Sequence, residues 1–126
     1  MSFTLTDLGS ESFELSANVW TWKAVLELVR SFDILGENTL RQMTYNATGV
    51  KLSMEEAHEI GSRIQEFLPN LAPDKRMYAD LSITSEPDDM TLHRDGDEQW
   101  KNFSVSHDWL QEFSEFCLRS KGFQVF

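Results

Sequence analysis

The chain has 126 residues, 40% of them hydrophobic, and its 21 acidic and 11 basic side chains give a formal net charge of −10. This size predicts one domain, residues 1–126, and the negative field argues against binding to nucleic acid or anionic membranes. No run approaches the length of a membrane span, the N-terminus lacks a signal-peptide pattern, and the single cysteine precludes an internal disulfide, so we expect a cytoplasmic protein.

Short strands, two helices and a turn-rich link are predicted, in that order, over the first fifty residues. The first fifteen residues alternate weakly between apolar and polar, which favours short strands. Apolar residues then recur at helical spacing from Asn18, a suitable N-cap, as far as Phe32, and this helix is apolar around more than half its circumference. A short helix is predicted for residues 37–43 and a turn-rich link for residues 45–50.

The strongest helix start in the sequence is a capping box. Ser53 and Glu56 stand at the spacing at which each side chain accepts a hydrogen bond from the other residue's backbone N–H. The helix that follows continues to Pro69, and Gly61 lies on its apolar face. The missing side chain at Gly61 predicts that another element approaches this helix closely.

Strands are predicted again after residue 75. Residues 78–84 alternate as a half-buried strand does, a short strand is predicted at residues 90–93, and residues 100–105 alternate once more. With a turn at residues 95–96, the simplest arrangement is an antiparallel hairpin or a three-stranded meander. The apolar face of the first of these strands consists of Ala79, Leu81 and Ile83.

The last helix is predicted to begin at the N-cap Ser106 and to end before Gly122 as its left-handed C′ residue. Residues 123–126 are predicted to form a short C-terminal extension that packs against the core or pairs with a strand. The elements together predict an α+β fold with three main helices packed on a small antiparallel sheet or hairpin. An all-α bundle with irregular loops is the alternative.

The cysteine and the three histidines, which are residue types common in catalytic sites, show no catalytic pattern in this sequence. Cys117 lies on the apolar stripe of the last helix, which is typical of a buried thiol with a raised pKa rather than of a nucleophile. His58, His93 and His107 do not share the spacing that places two imidazoles on one helix face, and no CxxC, HExxH, P-loop or GxSxG is present. We therefore predict no catalytic residue, metal site or cofactor.

Residues 86–98 carry six carboxylates in thirteen positions and are followed by Trp100. The spacing does not match an EF-hand, because with Gly96 at its sixth position only one of the liganding positions 1, 3, 5 and 12 holds an acid. We interpret this loop as a surface that attracts a basic partner, with the tryptophan as a contact anchor. The predicted partner-binding residues are Asp88, Asp89, Asp95, Asp97, Glu98 and Trp100. Trp20 lies off the stripe of its helix and is predicted to be partly exposed as well.

Three stretches carry a resemblance to known proteins. Trp20-Thr-Trp22, Tyr45-Asn46 before Ser53-Met-Glu-Glu-Ala57, and Phe113-Ser-Glu-Phe116-Cys117 before Ser120-Lys-Gly122-Phe123 resemble a group of small bacterial proteins with no assigned activity. In size, acidity and lack of a catalytic motif the chain also resembles immunity proteins, which neutralise toxins by occluding them. Neither resemblance implies a catalytic residue.

The function expected from the sequence is that of a non-enzymatic cytoplasmic domain, immunity-like or regulatory, that binds another protein with a basic surface. Two alternatives remain open. One is a small enzyme or small-molecule-binding protein whose site surrounds a pocket that includes His93 or His58. The other is a divalent-cation binder that uses the acidic loop, residues 86–98.

Overall fold

The fold is α+β in the computed structural model, which describes residues 2–10, 13–45, 48–86 and 92–126. In these ranges the helices are α1 (Val19–Ser31), α2 (Glu37–Met43), α3 (Met54–Phe67) and α4 (His107–Arg119). The strands are β1 (Ser2–Asp7), β2 (Glu14–Asn18), β3 (Val50–Leu52), β4 (Arg76–Tyr78), β5 (Ile83–Thr84), β6 (Ser104–Ser106) and β7 (Phe123–Val125). None of the described helices is long and apolar enough to cross a membrane.

The larger sheet is antiparallel and has the strand order β2-β1-β7-β3. The C-terminal strand β7 lies in its interior, and its Phe123 and Val125 side chains are fully buried. The short strands predicted from the alternation in residues 1–15 are confirmed by β1 and β2. Of the turn-rich link predicted for residues 45–50, residues 46 and 47 lie outside the described residues. The prediction is wrong at its end, because Val50 begins β3. A strand of three residues is too short to show a period of two.

Helices α3 and α4 pack tightly against each other through Gly61. A Cβ atom at this position would lie 2.8 Å from Leu118 Cγ and 3.0 Å from the Ser114 carbonyl oxygen. The Ser114 hydroxyl donates a hydrogen bond to the Gly61 carbonyl oxygen across the interface, at 2.9 Å. The close approach predicted from the glycine is therefore confirmed.

The predicted helix starts are confirmed in detail. Asn18 accepts a hydrogen bond from Thr21 N–H, the Ser53–Glu56 capping box is complete, and Ser106 accepts from Trp109 N–H. Each cap satisfies a backbone N–H of the first turn that has no partner within its helix. Gly122 has the expected positive φ of 91°, but α4 ends at Arg119, so the prediction that Gly122 is its C′ residue is wrong.

The strand predicted for residues 78–84 is wrong, because the chain turns back within it. Leu81 N–H donates to the Tyr78 carbonyl oxygen, and Asp80 accepts from both the backbone and the hydroxyl of Ser82. Leu81 takes a positive φ of 72°, and β5 begins only at Ile83. Leu81 and Ile83 are consequently exposed rather than turned toward the core. The local hydrogen bonds of Asp80 outweigh the alternating pattern.

The predicted meander is also incorrect. The smaller sheet has the order β5-β4-β6, so β6 pairs with β4 and not with a strand before it in residues 90–93. Leu92 and His93 belong to no strand, and Met90 and Thr91 lie outside the described residues. Residues 99–102 form a 3₁₀ turn instead of extended chain, and the turn at residues 95–98 joins no pair of strands.

Candidate interaction surface

The described part of the predicted site lies on one stretch of irregular chain, residues 92–103, which we call the 92–103 segment. Asp95 and Asp97 are exposed on it, Glu98 is half-buried, and Trp100 is 37% exposed. Asp88 and Asp89, which the sequence also predicts as partner-binding residues, lie outside the described residues.

Asn102 closes the 93–102 loop with its side chain. His93 N–H donates to Asn102 Oδ1 at 2.6 Å, and Asn102 Nδ2 donates to the His93 carbonyl oxygen at 2.8 Å. The carboxamide thus makes the two hydrogen bonds that a neighbouring strand would make. Within the loop, Glu98 N–H donates to the Asp95 carbonyl oxygen. The loop is closed by its own hydrogen bonds and presents the three acids at its tip.

Trp100 is exposed but firmly held. Its indole Nε1–H donates to the Asp97 carbonyl oxygen at 3.0 Å, and its ring meets Tyr78 edge to face with centroids 4.9 Å apart. Arg76 also contacts Tyr78, since its guanidinium lies 4.9 Å from the centre of the Tyr78 ring, and it donates a hydrogen bond to the Ser104 hydroxyl. The edge-to-face geometry is the favourable one for two aromatic rings. The prediction that Trp100 is partly exposed is confirmed.

The acids of the 92–103 segment differ in how far they are neutralised. Glu98 forms an ion pair with Lys101 at 3.3 Å, and the Lys101 ammonium also lies 5.6 Å from the Trp100 ring centroid. Asp95 and Asp97 have no ion pair with any residue that the structure describes. The negative charge available to a partner is therefore concentrated on Asp95 and Asp97.

An open cleft of about 470 Å³ adjoins the 92–103 segment where the segment meets α1. Its aromatic sides are Trp20, which is 42% exposed, and Phe103, with ring centroids 5.3 Å apart. The remaining lining residues are Leu92, His93, Arg94, Gln99 and Asn102. The exposure of Trp20 is a confirmed prediction, but its partners were missed. Sequence gives no signal for them, because α1 and Phe103 lie more than 70 positions apart.

Cys117, His58 and His107, the other residues considered for chemistry, make contacts within the fold. Cys117 is fully buried, and burial raises the pKa of its thiol well above the ordinary value, as the sequence predicts. The His58 imidazole donates to the Ser120 carbonyl oxygen, and His107 lies beside Asp108. Within the described ranges, no three His, Cys, Asp or Glu side chains are close enough together to hold a metal ion.

No protein-family model, curated protein or solved structure matches this chain. The interpretation of the 92–103 segment and its cleft therefore depends on their own geometry and charge.

Proposed function

We propose that this chain is a non-enzymatic domain that binds another protein with a basic surface, and that the 92–103 segment is the contact. One observation carries the proposal: Asp95 and Asp97 are exposed, unpaired within the described chain, and adjacent to a tryptophan that is held in place. Two free carboxylates attract a cationic partner from a distance, and the aromatic ring supplies contact area at close range.

The rigidity of Trp100 favours its use as an anchor. Ordering a mobile side chain at an interface costs about 0.5–1.5 kcal/mol, and Trp100 has already been ordered by Asp97 and Tyr78 in the unbound protein. Lys101 is drawn onto Glu98, so it does not cancel the field of the other two acids. Partner residues rich in arginine and lysine suit this combination, since a guanidinium both pairs with a carboxylate and stacks on an aromatic ring.

The specific role that we propose is occlusion of the partner, as immunity-like or regulatory proteins perform it, in the cytoplasm. Occlusion requires a complementary surface and no catalytic group. The small size and net charge of −10 are consistent with such a role.

The experiment compares two variants that lose the same charge from different places. The D95N/D97N variant removes the free carboxylates of the segment, and the E55Q/E59Q control removes two exposed acids from α3. The partner captured by the unaltered protein is purified, and its Kd is measured for all three chains by titration calorimetry. We expect D95N/D97N to bind about fivefold more weakly and E55Q/E59Q to bind normally, since an exposed charge contributes up to about 1 kcal/mol.

A second substitution tests the anchor. Trp100→Ala is expected to weaken the same complex by about thirtyfold or more, because truncated interface tryptophans commonly cost at least about 2 kcal/mol. Trp100→Phe retains a ring against Tyr78, and its affinity for the partner is expected to lie between those of the unaltered protein and Trp100→Ala. Equal affinity of all these chains for the partner would refute the proposed surface.

A further inference from the structure

The cleft between Trp20 and Phe103 contains a hydrogen-bond donor that the fold does not use. The indoles of Trp22, Trp100 and Trp109 donate to the carbonyl oxygens of Met43, Asp97 and Ser16, respectively. Trp20 has no such acceptor among the residues that the structure describes. Its ring lies against Phe103 on one side, and much of its surface is open to a ligand.

Two cationic groups lie at or near the same cleft. Arg94 lies in its wall, and Lys23 Nζ lies 5.6 Å from the Phe103 ring centroid. Neither forms an ion pair within the described part of the chain. The first turn of α1, which contributes Trp20, contains no acid, so the positive end of its helix dipole is not offset there. Arg94 and the N-terminus of α1 therefore offer a cationic contact to an anionic group, although Asp95 is the next residue and the whole protein carries a net charge of −10.

Two other hollows in the described structure lack this combination. The hollow of about 190 Å³ between α1 and β1 has Arg30 at its rim, but Arg30 is paired with both Glu27 and Glu37. The hollow of about 370 Å³ near Pro69 is lined by apolar residues, two glutamines and His107, which lies beside Asp108. Lys23 also lines the hollow of about 190 Å³. What distinguishes the Trp20 cleft is Arg94, which has no ion pair in the described chain, beside the Trp20 and Phe103 rings.

We propose that the Trp20–Phe103 cleft binds a small aromatic carboxylate. The aromatic part of the ligand packs against the Trp20 and Phe103 rings, and its carboxylate pairs with Arg94. The Trp20 N–H and the His93 imidazole are available as further hydrogen-bond donors. The cleft volume of about 470 Å³ falls within the usual range for small-molecule sites, roughly 300–1,000 Å³. The cleft shares the 92–103 segment with the proposed protein-binding surface but uses other side chains of it, Arg94 and Phe103 rather than Asp95, Asp97 and Trp100.

Three probes that share one ring separate the contributions of shape and charge. Indole-3-acetate is anionic, indole-3-acetamide is neutral and tryptamine is cationic. Each is titrated into the ¹⁵N-labelled protein while the Trp20 indole N–H and the Asn102 side-chain amide signals are followed by NMR. We expect indole-3-acetate to shift both signals and to bind about tenfold more tightly than tryptamine, with the amide between them. Equal binding of the anionic and cationic probes, or shifts confined to other residues, would overturn the proposal.

Two exposed cations provide a matched pair of variants. Arg94→Gln is expected to weaken indole-3-acetate binding about fivefold, and Lys51→Gln, which removes an exposed charge on β3, is expected to leave it unchanged. Trp20→Ala is expected to abolish the binding. Unchanged affinity in Arg94→Gln would reject the carboxylate contact even if Trp20→Ala failed to fold. Failure of this test would leave the proposal for Asp95 and Asp97 standing, since Arg94→Gln and Trp20→Ala retain both carboxylates and binding of the basic partner is measured separately.

Discussion

The α3–α4 interface and the 92–103 segment differ in whether their polar groups find partners within the chain. In the interface, the Ser114 hydroxyl donates to Gly61 and accepts from Gln65, and the Cys117 thiol is enclosed in the core. In the segment, the Asn102 side chain satisfies the backbone groups of His93, but the charges of Arg94, Asp95 and Asp97 have no ion pair among the described residues. Ser114 and Cys117 thus serve the fold, and the proposed contacts with other molecules lie with charges that have no ion pair in the described chain.

The difference in packing is tested most strongly by adding one methyl group to each region. Gly61→Ala is expected to destabilise the protein by about 2 kcal/mol, because the new Cβ would lie 2.8 Å from Leu118 and 3.0 Å from a backbone oxygen. Gly96→Ala meets nothing within 4 Å and is expected to change the unfolding free energy by less than about 0.5 kcal/mol. Urea denaturation measures both, and similar effects at the two sites would show that the interface is not tightly packed.

The pH dependence of stability tests the enclosure of Cys117. Burial raises the pKa of its thiol, so the folded protein keeps the proton at a pH where the unfolded chain loses it. The unfolded state then binds fewer protons, and stability falls as the pH rises above about 8.5, by up to about 1.4 kcal/mol per unit. Urea denaturation between about pH 8 and 9.5, below the ordinary pKa of tyrosine and lysine, measures this slope. Cys117→Ala is expected to flatten it; an identical slope in that variant would mean that other groups cause the loss.

Asn102→Ala tests whether the 92–103 segment depends on a single side chain. The substitution removes two hydrogen bonds to His93 that are partly shielded from water, and we expect a loss of about 1 kcal/mol in global stability. The larger effect is expected on local hydrogen exchange. The His93 backbone amide loses its acceptor and should exchange with deuterium much faster than in the unaltered protein. Protection of that amide in the variant would show that another group holds the loop closed.

The smallest expected effect concerns the turn between β4 and β5. Tyr78, at the end of β4, is the residue whose ring contacts Trp100. Leu81 holds a positive φ of 72° with its side chain exposed, a conformation that glycine adopts without a steric penalty. Leu81→Gly is expected to stabilise the protein by about 0.5 kcal/mol, the relief of strain being partly offset by the greater freedom of glycine in the unfolded chain. A thermal melt compares the two chains, and destabilisation would indicate that the Leu81 side chain contributes to packing.

Features encoded within a few neighbouring residues could be predicted from the sequence. The caps at Asn18, Ser53 and Ser106 depend on residues three positions away, and the helices that follow them depend on a repeated apolar spacing. The α+β class follows from these helices together with the alternating segments at the N-terminus. Gly61 predicted a close approach because a residue without a side chain, placed on an apolar helix face, leaves room for the backbone of a neighbouring helix.

The errors arose where local side-chain hydrogen bonds or distant partners decide the structure. Asp80 folds residues 78–84 into a hairpin, and Asn102 satisfies His93 in place of a strand partner. The Trp20 cleft joins α1 to the 92–103 segment, and no local pattern records that pairing. The acidic loop was recognised from composition, but only the structure distinguishes Glu98, which is paired with Lys101, from Asp95 and Asp97, which have no ion pair among the described residues.

The central claim is that Asp95 and Asp97 serve a partner rather than the fold, and the salt dependence of association tests it most directly. The association rate constant, kon, of the captured partner is measured by stopped-flow at ionic strengths between about 0.02 and 0.2 M, where screening of exposed charges changes strongly. For the unaltered chain and for E55Q/E59Q, we predict that kon falls steeply as salt is added. For D95N/D97N we predict a lower kon at low salt and a much weaker dependence. The same steep slope in D95N/D97N as in the unaltered chain would contradict the account.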